Sequence, residues 1–260
     1  MGKYGKKLFY IVAFALCILS LQCAAIAEPP DAGYKLVWEE LFNDPVLYHK
    51  NWTFRMPGWR REGYLNSTDM VVNDFQNGAL IIKTQFGNPP KAGMVSTYGK
   101  RWFSPGYFEV KVTLPRHPGH HIAFWLKSDN YDQGGPSSTH GAEIDVVEYV
   151  PLMPKMAHFN IHTFGYGIFH RVNGHRVADI VCPGCTHIVG FDWRSDRYTF
   201  YIDGKVVWRT AESITSKPHY VILSSHVSGW GGYPRLGKDS DEVRFHYVRY
   251  YQDQTAQRPK

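Results

Sequence analysis

The sequence predicts an all-β protein of two antiparallel sheets packed face to face, and three observations predict it. Short runs of β-branched and aromatic residues recur, among them Leu80-Ile81-Ile82-Lys83-Thr84, Tyr107-Phe108-Glu109-Val110-Lys111-Val112 and Ile122-Ala123-Phe124-Trp125-Leu126. Clusters of Gly, Pro, Asn and Asp separate these runs, as turns separate strands. Helical periodicity is nearly absent, and Ala211-Glu212-Ser213-Ile214 makes at most a turn. Many short strands at regular spacing belong to a sandwich or a barrel.

Taken in order along the chain, residues 1–27 read as a signal peptide rather than as part of the fold. Lys3, Lys6 and Lys7 form a basic start, Leu8 to Leu21 an apolar run, and Ala25-Ile26-Ala27 a small-x-small cleavage pattern. The apolar run is too short to span a bilayer comfortably. Gln22 before Cys23 does not suit lipid attachment. The expectation is a secreted or periplasmic monomer with no membrane association after cleavage. Losing the leader removes three of the 29 basic residues and none of the 23 acids, so the net charge falls from +6 to +3. That excess is too slight, and too scattered, to indicate a nucleic-acid partner.

Residues 28–260 read as one domain, with no repeat or linker. Asp203-Gly204 lies between Tyr198–Ile202 and Val206-Val207-Trp208 and suits a tight hairpin turn. In Cys182-Pro183-Gly184-Cys185, Pro and Gly fit the centre of a type II turn, so the flanking cysteines are expected to form a small disulfide. A zinc site would need a second ligand pair, and the sequence offers none at a suggestive spacing. The 8 Trp, 17 Tyr and 15 Phe supply a large core and, where exposed, surfaces on which sugars stack.

Chemistry concentrates in Gly141-Ala142-Glu143-Ile144-Asp145-Val146-Val147-Glu148-Tyr149-Val150. Three acids sit in a run that otherwise reads as buried strand, where ionised carboxylates are costly unless they face a polar cleft. Glu143 and Asp145 share a face because strand side chains alternate. Glu148, five residues from Glu143, falls on the opposite face of a regular strand. A one-residue bulge at Val146-Val147 restores the parity. The two glutamates then stand roughly 13 Å apart along the backbone. Side chains leaning inward close that to the ~5–5.5 Å of a retaining glycosidase pair. One carboxylate attacks, the other donates and then recovers a proton, and Asp145 orients the attacking one.

Around this strand the chain resembles glycoside hydrolase family 16. Leu36-Val37-Trp38-Glu39-Glu40-Leu41-Phe42 resembles the family's opening strand, Gly106-Tyr107-Phe108-Glu109 its "G-x-f-E" strand and Ala123-Phe124-Trp125-Leu126 its "A-F-W-l" strand. Glu143 to Glu148 matches the family's E-x-D-x-x-E motif, and Phe191-Asp192-Trp193 and Tyr201-Ile202-Asp203-Gly204 match later segments. The resemblance implies a jelly-roll sandwich whose concave sheet binds a polysaccharide or oligosaccharide. It implies Glu143 as nucleophile, Asp145 as its assistant, Glu148 as acid/base, and Trp125 as a floor under the sugar. His162 resembles a histidine bordering the cleft. His158, Asn160 and His162 share a strand face, but a metal would need a third ligand that the spacing does not supply.

Trp59 and Trp230, in Gly-containing loops, are candidates for platforms at the two ends of the cleft. Arg55, Arg60 and Arg61 near Trp59 are candidates to meet an acidic or sulfated sugar. Two departures from the family stand out. Leu41 and His246 occupy the positions where many relatives hold calcium through carboxylates, so neither a metal nor any cofactor is expected. The Pro115–Ile122 loop, with His117, His120 and His121, departs from the Gly-Trp-Pro of laminarinases. The substrate therefore stays open among β-1,3-glucan, mixed-linkage glucan and β-galactan. A transglycosylase would use the same residues, and a non-catalytic glycan-recognition protein would lack a glutamate that this chain has. Asn51-Trp52-Thr53 and Asn66-Ser67-Thr68 are glycosylation sequons.

Overall fold

The computed structural model describes residues 29–232 and 241–254, so the expected leader lies outside the described residues. Among the described residues seventeen strands follow one another. They are β1 (Tyr34–Glu40), β2 (Thr53–Phe54), β3 (Gly58–Trp59), β4 (Leu65–Asn66), β5 (Val71–Asp74), β6 (Ala79–Thr84), β7 (Lys91–Ser96), β8 (Gly106–Thr113) and β9 (His121–Ser128). After them come β10 (Glu143–Tyr149), β11 (Ala157–Thr163), β12 (Arg171–Val177), β13 (Thr186–Trp193), β14 (Tyr198–Ile202), β15 (Lys205–Thr210), β16 (His219–His226) and β17 (Asp241–Asp253). One sheet has the order β15-β14-β13-β8-β17-β6-β5, with β1 added to β17. The other runs β12-β11-β10-β9-β16-β7-β4-β3, with β2 added to β7. Pairing is antiparallel throughout the described strands except for the short β4–β7 contact, which is parallel.

The fold is the two-sheet sandwich that the strand pattern predicts, in the jelly-roll form that the resemblance implies. Phe124, Phe159, Phe191, Phe200 and Phe245 are fully buried in one apolar cluster between the sheets, joined there by Ile144, Val147 and Tyr149. Phe159 of β11 meets Phe200 of β14 across the gap at a ring separation of 5.6 Å. The Asp203-Gly204 turn closes its hairpin with both residues at positive φ, 49° and 76°. Cys182 and Cys185 are joined by a disulfide. The turn between them has Gly184 at φ 72° and a bond of 3.1 Å from the Cys185 amide to the Cys182 carbonyl.

Two short helices, α1 (Pro45–Asn51) and α2 (Ser137–His140), interrupt the strands. Neither is long enough to display an apolar period. What makes α1 is its start: Pro45 sits at the first turn, and Asp44 accepts hydrogen bonds from the Val46 and Leu47 amides at 2.7 and 3.2 Å. Among the described residues no helix is long and apolar enough to cross a membrane.

Both sequon asparagines are buried and engaged. Asn66 donates to the carbonyls of Arg55 and Met56 at 2.6 and 2.8 Å. Asn51 donates to Glu40 at 3.1 Å, so a glycan on either would break these contacts. At the positions where the family resemblance points to a calcium site, His246 Nε2 lies 2.8 Å from the Thr113 hydroxyl, and neither the Leu41 nor the His246 side chain offers an oxygen. These residues do not fit the ion.

Glu40 ties the opening strand to α1. It accepts from the Phe42 amide at 2.9 Å, the Asn51 amide group and, at 3.2 Å, the Trp52 indole. Replacing Glu40 with Ala strands three buried donors. The expected cost is about 3 kcal/mol, read as a lowered urea midpoint. An unchanged midpoint would show that water replaces the carboxylate.

Candidate active site

Strand β10 forms the floor of the site because one extra residue interrupts its alternation. Against β9, Asp145 pairs with Trp125 and Val147 with Phe124, so two steps on one strand meet one on the other. Against β11, Asp145 pairs with Asn160 and Glu148 with His158, three steps against two. The bulge lies where the acid spacing predicts it. Ile144, Val147 and Tyr149 therefore pack into the core while Glu143, Asp145 and Glu148 line the cleft. Gly141 opens the strand at φ 77°, where an added Cβ would lie 2.2 Å from the Ser128 hydroxyl oxygen. Only glycine fits that approach.

Each carboxylate has its own partners. Glu143 accepts from the Tyr166 hydroxyl. Asp145 Oδ2 meets His162 Nε2 at 2.9 Å, and the other nitrogen of that ring meets His170 at 2.9 Å. Glu148 meets His121 Nε2 at 2.6 Å and accepts from the Asn160 amide group. Asn160 has room because Gly174 faces it on β12; a Cβ there would lie 2.4 Å from the Asn160 oxygen. Tyr166 is held in turn by Lys127, whose Nζ lies 4.9 Å from its ring centroid and 2.8 Å from Asp132.

These surroundings split the titration. Burial, reinforced by the charge of Asp145, raises Glu143 to about 7 despite the opposing pull of His162, Tyr166 and Lys127. Burial and the Glu148 charge push Asp145 well above the ordinary carboxylate range. Burial works the same way on Glu148, but the hydrogen bond and charge of His121, with Asn160 and His162, outweigh it and hold Glu148 low.

The acids open into a cleft of about 480 Å³. Trp125 lies in its floor, held by a 3.0 Å bond from its indole to Ser224. Ser224 meets His226 at 3.0 Å, and His226 meets Tyr64 at 2.6 Å. His162 lines the cleft, as do Arg55, Arg60 and Arg61. Trp230, partly exposed, stands edge-on to the rings of His121 and His158, 4.7 Å from each, at the Glu148 end of the site. Trp59 is 68 % exposed on β3 and does not line the cleft. Sequence reasoning did not single out Tyr166, Lys127, His170 or His226. Tyr166 and His170 come from the loop after β11, where no periodicity shows what turns inward. Lys127 and His226 carried a usable signal, since Lys127 pairs with Glu143 and His226 with His121 across strands that contain candidate residues.

Glu143, Asp145 and His162 each place one ligand-type atom within 4.8 Å of the others, as do Cys182, Cys185 and His187. Asp145 and His162 already bond each other, and both sulfurs are in the disulfide. Neither set offers a free group of metal ligands.

Residues 63–249 match the family model of glycosyl hydrolases family 16. A beta-glucanase of Rhodothermus marinus is 24 % identical over 95 % of this chain and 96 % of its own length. A glucan endo-1,3-beta-glucosidase of Cryptopygus antarcticus is 28 % identical over 88 % of this chain and 93 % of its own. The laminarinase structure from Flavobacterium sp. UMI-01 superposes with a TM-score of 0.69 at 28 % identity, covering 84 % of this chain and all of that one.

The raised Glu143 has a stability consequence. Its folded pKa lies above the ordinary 4.5, so folding takes up a proton between pH 4.5 and about 7. Stability is then lost as pH rises through that window, by on the order of 3 kcal/mol above it. Glu143→Gln is expected to melt higher than the wild type at pH 8 and alike at pH 4. Equal melting at both would mean that the carboxylate is solvated.

Proposed function

Because this chain belongs to glycosyl hydrolase family 16, we propose that it is an exported, endo-acting, retaining β-glucanase with Glu143 as nucleophile and Glu148 as acid/base. The observation that carries this reading is the bulged strand with three differently partnered carboxylates along one cleft, beside the Trp125 floor. The β-glucan substrate rests on the relatives, which are β-glucanases along nearly their whole lengths.

In the first step the Glu143 carboxylate attacks the anomeric carbon as the glycosidic bond breaks, and the Glu148 proton passes to the departing oxygen. In the second, Glu148 takes a proton from water, the hydroxide oxygen bonds the anomeric carbon, and Glu143 leaves as carboxylate. The His162 bond to Asp145 and the Tyr166 bond to Glu143 fix the nucleophile's orientation. The indole of Trp125 offers a flat apolar face to a sugar ring.

Glu148→Gln is expected to lower reducing-end release from laminarin or lichenan by roughly 10²–10⁴-fold, and Glu143→Gln at least as much. Full activity in either variant would remove these roles. Proton NMR of early products should show the β-anomer first, whereas a first-formed α-anomer would exclude the covalent intermediate. A second prediction concerns His121, which pulls Glu148 down. In His121→Asn the proton-donating form of Glu148 should persist to higher pH, moving the alkaline limb of kcat/KM upward. An unmoved limb would detach His121 from the proton transfer.

A further inference from the structure

One wall of the cleft carries positive charge that no acid pairs with directly. Arg55, just after β2, and Arg60 and Arg61, in the β3–β4 turn, line it on the far side of β9, β16 and β7 from the three acids. Arg61 pairs with Glu62 at 3.2 Å, and Lys127 with Asp132. Among the described residues no carboxylate lies within ion-pair distance of Arg55 or Arg60. Arg55 instead lies over aromatic rings, 5.1 Å from the Tyr220 centroid and 5.9 Å from that of Trp125. Arg60 reaches the Met56 sulfur at 3.7 Å. The Nε of each guanidinium is buried without an acceptor.

A guanidinium held against aromatic rings is oriented before a ligand arrives, and its planar fork matches the two oxygens of an anion. Arg55 has the Tyr220 hydroxyl as a neutral partner and Arg60 that of Tyr64, but leaving each Nε desolvated without an acceptor is costly, and an anion recovers more of that cost than a neutral hydroxyl. The field at this wall is felt nearby. Burial, with His121, Arg60 and Arg55 beside it, pushes His226 down to about 3 and keeps that ring neutral. A neutral glucan offers this wall hydroxyls alone.

We propose that Arg55 and Arg60 form a subsite for an anionic substituent, a sulfate ester or a carboxylate, on the glycan chain bound over Trp125. The inference rests on reading the chain as a β-glucan hydrolase and narrows the substrate to one bearing negative charge on a sugar some strands away from the acids.

The test uses the mature protein carrying Glu143→Gln, titrated calorimetrically at low salt with laminarin-derived oligosaccharides in neutral, sulfated and carboxymethylated forms. Wild-type cleavage of the neutral, sulfated and carboxymethylated laminarins is measured in parallel. The expected result is binding of an anionic form tighter than the neutral one by roughly tenfold, about the worth of one charge-assisted hydrogen bond. Adding Arg55→Gln and Arg60→Gln should abolish that preference. Arg60→Gln alone, which leaves the ring contacts of Arg55 in place, should reduce it, and circular dichroism checks the fold of each variant. A preference for the sulfated form alone identifies a sulfate ester, and a preference for the carboxymethylated form alone a carboxylate. Equal or weaker binding of both anionic forms overturns the subsite. So does a preference that survives the double substitution, which would mark general attraction of polyanions. Absence of cleavage of every glucan by the wild type would fail the hydrolase reading itself, apart from any charge preference.

Discussion

A β-strand whose two faces have opposite demands must keep strict count of its residues, and β10 keeps it by adding one. Its inner face supplies Ile144, Val147 and Tyr149 to the core, and its outer face presents Glu143, Asp145 and Glu148 to the cleft. Side chains alternate with a period of two, so an unbulged strand would drive the Glu148 carboxylate into the apolar layer occupied by Phe124 and Leu126. The extra residue removes that conflict. It also sets what each acid meets, because the register on either side of the bulge decides which residues of β9 and β11 stand opposite. Ala123 faces Glu148 on one side, small enough to leave the carboxylate open to the cleft. Asn160 and His162 of β11 point the same way as the acids and become their partners.

Burial alone would treat the three carboxylates alike, and it is their partners that separate them. Buried acids elsewhere show the contrast. Glu40 accepts from three donors, and Glu109 accepts from Tyr247 at 2.6 Å with Arg249 at 4.0 Å, yet neither lines the cleft. Such residues join strands to one another. In the site, each acid has one or two partners and keeps part of its lone-pair capacity for something else. Rigidity comes from the layer behind, where Lys127 holds Tyr166, Gly174 makes space for Asn160 and His170 stacks on His162 at 5.0 Å. Placing the working groups on strands and their supports on neighbouring strands and one loop gives the geometry its stiffness.

The sheet architecture and the three acids were legible because both follow the two-residue period, and a break in that period is itself a signal. Trp125 and His162 were legible through matched positions on strands adjacent to β10. Helix α1 was not, since seven residues cannot display an apolar stripe, and its cue was the Asp44-Pro45 pair. The loop from Phe164 to His170 hid Tyr166 for a related reason. Phe169 is 71 % exposed and Ile168 94 %, while Tyr166 turns back to Glu143, and no pattern in Phe-Gly-Tyr-Gly-Ile-Phe-His distinguishes the one that turns. The tandem histidines His120 and His121 look equivalent in sequence. Alternation sends His120 into a wholly buried contact with Thr84 and Ser225, and His121 into the cleft. Trp59 and Arg60 divide the same way, with the charged neighbour rather than the indole taking the wall.

The resting protonation of the site runs opposite to the proposed roles, with Glu148 held low by His121 and Glu143 raised by burial and Asp145. The two are reconciled by what a bound sugar does. In so tightly coupled a cluster the protons belong to the group, so a resting distribution is one microstate among several. A ring seated between the glutamates excludes water from Glu148 and sets an ether oxygen against it, which favours its acid form. Positive charge growing at the anomeric carbon favours the anion at Glu143. His121 Nε2, 2.6 Å from Glu148, holds that carboxylate in place while the ring seats.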